Sequence, residues 1–232
     1  MSTHTAFDIV AWLSALLTTW LMYRWRFQAR IHELSDRLGA GYYASITLGG
    51  LAGAYGFGTL NAYLSGQPAI ARSILGGLVG AITLVQLYKL KKGIRGPTGA
   101  VLAVPFCVAI AIGRLGCFYA GLADLTHGTE TALPWGVDFG DGVLRHPVQI
   151  YESLTMLAAG LALVVGLWMR SSLVQQHAFH LAVGAYGAQR FIWEFFKPYK
   201  TVAGPLNVFH ILSLALCVYA VWMIYGTKNE TA

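Results

Sequence analysis

The chain has 232 residues, 56% of them apolar and only 11% charged, against about 25% charged in soluble domains. That balance excludes an ordinary soluble domain and leaves little length for one beside a membrane bundle. A net charge of +6 would suit nucleic-acid binding, but the basic residues gather in short stretches between apolar runs, as topology determinants do, so no nucleic-acid partner is expected.

The opening MSTHTAFDIVAW has no positive n-region, and no small-residue cleavage site follows, so the first apolar run is expected to be a retained helix rather than a removable signal. Seven apolar segments follow one another at roughly 7–24, 42–64, 73–90, 98–118, 148–169, 178–196 and 205–225. Each approaches the ~20 residues that cross a hydrocarbon core as a helix. Their continuous apolarity argues against barrel strands, which alternate. The expected fold is all-α: one polytopic domain over 1–232, about seven transmembrane helices, and an extracytoplasmic loop at about 119–147.

Lysine and arginine set the expected orientation. Arg24, Arg26, Arg30 and Arg37 follow the first segment; Lys89, Lys91, Lys92 and Arg95 follow the third; Arg170 follows the fifth, and Lys228 is in the tail. The opposite connections hold only Arg72, Arg145, Lys197 and Lys200. The positive-inside rule then places the N-terminus outside and the C-terminus in the cytoplasm.

Segments two and three contain small-xxx-small pairs, Gly49–Gly53 and Gly76–Gly80, which allow close helix approach in lipid. Thin helices would also leave room for a cavity open to lipid. The loop 119–147 carries Asp124, Glu130, Asp138, Asp141 and the turn Pro134-Trp135-Gly136, with Trp135 suited to the headgroup level. Cys107, Cys117 and Cys217 all lie in apolar runs, and no CxxC or Cys/His metal spacing is present. Cys107 and Cys217 read as packing residues. Cys117 differs because it follows Arg114.

The polar chemistry is concentrated in Gly113–Glu152 and again at Arg190 and Glu194. In the expected topology Arg114 lies near the outer end of segment four. Gln149 and Glu152 lie near the outer end of segment five, three apart and on one face. Arg190 and Glu194 lie near the outer end of segment six, four apart. Facing lipid, such groups would cost about 2.5–3.5 kcal/mol each, so they are expected to face inward and pair. Spacing leaves two readings open. One is a pair of structural ion pairs, Arg114–Glu152 and Arg190–Glu194. The other is an anion site in which guanidinium groups hold a phosphate in bidentate fashion while the carboxylates orient them. A phosphate at the outer surface of a bilayer belongs to a phospholipid headgroup. Of His127, His146, His180 and His210, His146 is the best placed to accept a proton near neutral pH, beside Arg145 and one turn from Gln149.

These stretches resemble the prolipoprotein diacylglyceryl transferase family. Gly113-Arg114-Leu115-Gly116-Cys117-Phe118 is similar to its G-R-x-G-N-F motif, and Pro134-Trp135-Gly136-Val137-Asp138-Phe139 to the loop sequence after it. Arg145-His146-Pro147-Val148-Gln149-Ile150-Tyr151-Glu152 looks like R-H-P-x-Q-x-Y-E. Tyr186 to Pro198 looks like Y-G-x-x-R-x-x-x-E-F-F-R-x-P. The likeness is good over about 73–198 and poor over the first 70 residues. It implies transfer of diacylglyceryl from phosphatidylglycerol, or another anionic phospholipid, to the lipobox cysteine thiol of a preprolipoprotein at the bacterial cytoplasmic membrane.

Carried over, Arg114 and Arg190 would grip the phosphate, and Glu152 and Glu194 would hold the arginines. Gln149 and Tyr151 would line the headgroup pocket, with Arg145 also binding substrate; in place of the family's histidine proposed to activate the thiol, which this chain lacks, His146 would supply the base. No metal or redox cofactor is implied. The chain departs from the family where Leu75 stands in place of a histidine before Gly76-Gly77-Leu78, at Cys117 in place of asparagine, and at Ala120-Gly121-Leu122 in place of N-G-E. The residues around Gly56 also blur the family's glycine-arginine signature. Those departures keep open a second reading, a non-catalytic phospholipid-binding protein on the same scaffold. A third reading, a small transporter, would spread its charges through the membrane depth, whereas these gather at one level.

Overall fold

A computed structural model describes residues 3–64, 66 and 69–226. Helix α1 (Thr3–Met22) passes through a π turn at Tyr23–Phe27 into α2 (Gln28–Leu64). Then come α3 (Ile74–Lys92), α4 (Ala103–Ala120), α5 (Val148–Trp168), α6 (Ser172–Glu194) and α7 (Val208–Gly226). The loop between α4 and α5 holds a two-stranded antiparallel ribbon, β1 (Val137–Asp138) and β2 (Leu144–Arg145), with Val137 opposite Arg145. Outside that ribbon the regular structure of the described residues is helical, as expected.

Among the described residues, five helical stretches are long and apolar enough to cross a membrane: His4–Ser35, Ile74–Lys92, Ala100–Asp124, Val148–Trp168 and Val208–Gly226. Two of the seven expected segments are helical but outside these five. Glycine dilutes the apolarity of 42–64, and His180, Gln189, Arg190 and Glu194 dilute that of 178–196. Lys228 lies outside the described residues.

The basic stretch after segment one, expected as a connection, is helical. Phe27, Ile31, Leu34 and Leu38 recur every three to four residues and form a stripe; Phe27, Leu34 and Leu38 are buried. The arginines among them made the stretch read as a loop. Only Gly39 interrupts the helix, at φ 62°, a conformation glycine adopts without a Cβ penalty.

The helices distribute between two compact units. In the unit of Gln28–Thr98 and Tyr199–Leu216, α2 and α3 pack backbone to backbone. A Cβ on Gly53 would lie 2.2 Å from the Gly76 carbonyl oxygen, and one on Gly80 would lie 2.2 Å from that of Gly49. The small-xxx-small pairs therefore do form the close approach expected of them. Beside the seam is an open apolar hollow of about 460 Å³ lined by Gly56, Phe57, Leu60 and Val79. Helix α3 starts where Ser73 Oγ accepts from the Gly76 N–H at 3.1 Å. It ends at left-handed Gly93, where the Gly93 and Ile94 amides close onto Leu90 and Lys89 carbonyls. Arg30 donates to the Pro97 carbonyl at 2.9 Å, and Tyr88 to the Leu38 carbonyl at 2.6 Å, around a core of Leu34, Leu38, Tyr42 and Ile94.

The other unit holds α1, α4, the loop, α5, α6 and the end of α7. Gly116 lets Phe7 of α1 lie against α4, and Phe7 stacks on Tyr119 at 5.3 Å. Ser153 of α5 donates to the Ala111 carbonyl of α4 at 2.7 Å. Phe106 of α4 meets Tyr186 of α6 edge-on at 5.3 Å. These contacts bring the start of α1, the end of α4, the start of α5 and the end of α6 to the same end of the unit.

Candidate active site

At that end, one carboxylate collects three cations. Glu152 sits in the second turn of α5 and is fully buried. It forms ion pairs with Arg114 of α4 and with Arg190 of α6, and accepts from Lys197 Nζ at 2.8 Å. Arg190 uses its other terminal nitrogen on Glu194, at 2.7 Å, one helical turn along. Lys197 Nζ is 3.9 Å from Glu194. Burying isolated ions costs several kcal/mol each; here each ion offsets another's desolvation, and the group holds three helices together.

Spacing alone brings Arg190 over Glu194. Lys197 arrives differently. After Glu194 the backbone tightens into i→i+3 turns, with Phe195, Phe196 and Lys197 amides bonding to Ile192, Trp193 and Glu194 carbonyls. This curls Lys197 back over the site. Burial holds its ammonium below the ordinary lysine range, at about 8, and Arg190 pushes the same way. Three cations against two carboxylates leave one surplus positive charge near neutral pH.

Both ion pairs expected from spacing form, and they merge through the Arg190–Glu152 contact. Gln149 lies three residues before Glu152 on α5 and is fully buried. Neither polar atom of its amide has a partner among the described residues; the same holds for the amide of Gln189, which precedes Arg190. Unsatisfied buried amides are uncommon and costly, and they point to water or a polar ligand. Arg114 Nε also lacks a partner among the described residues, while its Nη1 donates to Cys117 Sγ at 3.4 Å.

Three expected site residues stand outside this charged group. Arg145 donates to Asp141 at 2.6 Å and to the Val143 carbonyl, holding the Asp141 carboxyl below its usual range. Asp138 Oδ1 accepts from the amides of Gly140, Asp141 and Gly142, so the hairpin carrying Arg145 is internally braced. His146 packs edge-on against Phe196 at 4.9 Å and lies 3.5 Å from the Tyr151 hydroxyl. Tyr151 accepts from the Trp135 indole at 2.8 Å and stands against Trp193 at 5.0 Å. Trp135, expected simply at headgroup level, thus ties the loop to α5. Backbone bonds from Thr129 N to Phe196 O at 2.7 Å and from His146 N to Thr129 O at 3.0 Å fasten the loop to the end of α6. His146 and Tyr151 thus form an aromatic and polar wall beside the hairpin that carries Arg145.

The sequence reading missed Lys197 as a site residue, although it is three residues beyond Glu194 and within the motif that ends at Pro198. His4 was not singled out from the sequence, and nothing in its spacing joins it to Asp124.

Comparison with known proteins agrees with this architecture. A family profile described as prolipoprotein diacylglyceryl transferase matches residues 9–226. The phosphatidylglycerol–prolipoprotein diacylglyceryl transferase of Geobacter sulfurreducens is 31% identical over 191 residues, covering 77% of this chain and 72% of that protein. The enzyme of the same name from Nitratidesulfovibrio vulgaris strain DP4 is 29% identical over 218 residues, covering 86% and 81%. That of Clostridioides difficile is 32% identical over 145 residues, covering 61% and 55%. No solved structure matches the chain. With the profile match covering nearly its whole length, the chain belongs to the prolipoprotein diacylglyceryl transferase family.

Proposed function

We propose that the protein transfers diacylglyceryl from phosphatidylglycerol to the lipobox cysteine thiol of a prolipoprotein. It acts at the outer leaflet of a bacterial cytoplasmic membrane, with seven spans, the N-terminus outside and the C-terminus in the cytoplasm. The observation that carries this reading is the buried group of three cations on two carboxylates, one positive charge in surplus, beside the orphaned amide of Gln149. A phosphodiester headgroup supplies the missing negative charge and acceptor oxygens.

In the reaction, the acceptor sulfur attacks the glyceryl carbon attached to phosphate. The carbon–oxygen bond breaks, and the electron pair leaves with glycerol phosphate. Charge accumulates on the departing phosphate, so prearranged guanidinium groups stabilise that state more than the diester. Arg114 and Arg190 fill this role. Glu152 and Glu194 fix their planes, Gln149 and Tyr151 line the headgroup pocket, and Arg145 and His146 flank it from the loop.

The test incubates purified protein with phosphatidylglycerol labelled in its headgroup glycerol and a lipobox peptide. The expected result is equimolar thioether peptide and glycerol phosphate, both suppressed at least 100-fold in Arg190→Ala. Bound lipid without either product would reject the transferase reading in favour of a lipid-binding protein.

A further inference from the structure

Folding assembles what no Cys/His spacing in the sequence announces. His4 of α1, Cys117 at the end of α4 and Asp124 in the 3₁₀ turn Gly121–Asp124 each offer one ligand atom, all within 4.8 Å of one another. His4 Nε2 is 3.3 Å from Asp124 Oδ1 and 3.8 Å from Cys117 Sγ. Zinc bonds of about 2.0–2.2 Å to nitrogen or oxygen and about 2.3 Å to sulfur, at tetrahedral angles, separate such atoms by about 3.3–3.6 Å. The two edges that meet at His4, 3.3 and 3.8 Å, are close to those of a zinc tetrahedron.

Each ligand is also held from behind. His4 Nδ1 is 3.0 Å from Asp8 Oδ2, which favours the tautomer that leaves Nε2 free to coordinate. Thr126 donates to Asp124 Oδ2 at 2.6 Å, leaving Oδ1 turned to the cluster. Arg114 donates to Cys117 Sγ at 3.4 Å, which fixes the direction of the sulfur. Outer partners of this kind orient and tune metal ligands. One thiolate and one carboxylate neutralise a divalent ion, so the neighbouring arginine meets no net positive charge. A mixed nitrogen, oxygen and sulfur set favours zinc over magnesium or calcium. Cys117 is buried while His4 is partly exposed, so the cluster opens on one side.

We propose that His4, Cys117 and Asp124 form a zinc site with Asp8 behind His4, and that its open fourth position takes the acceptor thiol. This departs from the family resemblance, which implies no metal. The role assigned to the fourth position rests on the transferase reading; the metal site itself does not. A thiol bound to zinc is deprotonated near neutral pH, and here it would lie one residue contact from Arg114, which holds the phosphate. Coordination sends the thiol proton to solvent. The sulfur then attacks the glyceryl carbon, the carbon–oxygen bond breaks, and glycerol phosphate leaves with the electron pair. The neutral thioether is a weaker ligand and is released. Zinc would thereby do what a general base does, in a chain where Leu75 occupies the place of the family's histidine.

The experiment uses full-length protein without a histidine tag, in detergent, stripped with chelator and titrated with Co²⁺. One Co²⁺ per chain is expected, with tetrahedral visible bands and a near-ultraviolet sulfur-to-cobalt band, both displaced by Zn²⁺. Cys117→Asn, which installs the residue of the family's motif and so preserves the fold, should remove the sulfur band. Asp8→Asn should keep the band and weaken binding about 10- to 100-fold. No saturable binding, or a spectrum indifferent to both Cys117→Asn and His4→Ala, overturns the site. Adding a lipobox cysteine peptide should intensify the sulfur band, and its serine analogue should not. A spectrum unmoved by the cysteine peptide overturns the thiol role. Phosphatidylglycerol binding, measured alongside, reports on the transferase reading separately.

Discussion

Glu152 is the residue on which the charged group turns, because Arg114, Arg190 and Lys197 all rely on it. In Glu152→Gln, Arg190 and Lys197 keep Glu194, while Arg114 loses the carboxylate it pairs with. Breaking a buried ion pair from one side costs about 3–5 kcal/mol. A clear fall in the thermal unfolding midpoint of the detergent-solubilised protein is expected; an unchanged midpoint would mean that water already screens the group. Arg190→Lys tests geometry instead of charge. Arg190 reaches Glu152 and Glu194 with two different nitrogens, and a lysine ammonium lacks that planar fork. Transfer should fall at least tenfold, with a smaller stability loss than in Glu152→Gln.

Lys197 gives the site a pH dependence. Its ammonium is held at about 8 in the lipid-free protein, and a bound phosphate would raise that value. Protonation is therefore linked favourably to anion binding. Headgroup affinity is at its full value below pH 8 and declines as pH rises through it, when the surplus positive charge is lost. Lys197→Met should bind more weakly at pH 7 and show no such decline. A titration of phosphatidylglycerol binding between pH 6.5 and 9.5 in both proteins decides this. The i,i+3 and i,i+4 spacings made Gln149, Glu152, Arg190 and Glu194 legible as inward-facing faces. Lys197 was not legible, because its direction depends on how the last turn of α6 tightens.

Among the elements, the α2–α3 pair depends on absent side chains. Any Cβ at Gly53 would meet the Gly76 carbonyl oxygen at 2.2 Å, whereas one at Gly50 meets nothing within 4 Å. Gly53→Leu should separate the two helices and lower folded yield sharply, and Gly50→Leu should leave yield close to the parent's. Equal yields, measured by size-exclusion chromatography, would show that the close approach does not limit stability. The same pair illustrates how patterns compete in a sequence. The small-xxx-small spacing was readable and forms the seam. The stripe Phe27, Ile31, Leu34 and Leu38 was equally periodic, but Arg30 and Arg37 within it, and Arg24 and Arg26 just before it, read as loop charge. In the folded chain they lie along a helix whose apolar stripe is buried.

For the whole molecule, composition and the positive-inside rule give a topology that reporter fusions can check. Alkaline phosphatase fused after residue 133 should be active, and fused after residue 95 inactive; the reverse pattern would invert the orientation proposed above. The apolar runs, the helical class and the paired faces of α5 and α6 were determined by the sequence alone, because each depends on residues within a few turns of one another, whose periodicity the chain carries in plain order. The convergence of Arg114, Glu152, Arg190 and Lys197, and the meeting of His4 with Cys117 and Asp124, were decided only by tertiary structure. They join residues separated by up to about 120 positions, and which of them meet depends on how helix ends are brought to one level and how the intervening loop is braced. Local sequence does not encode that register.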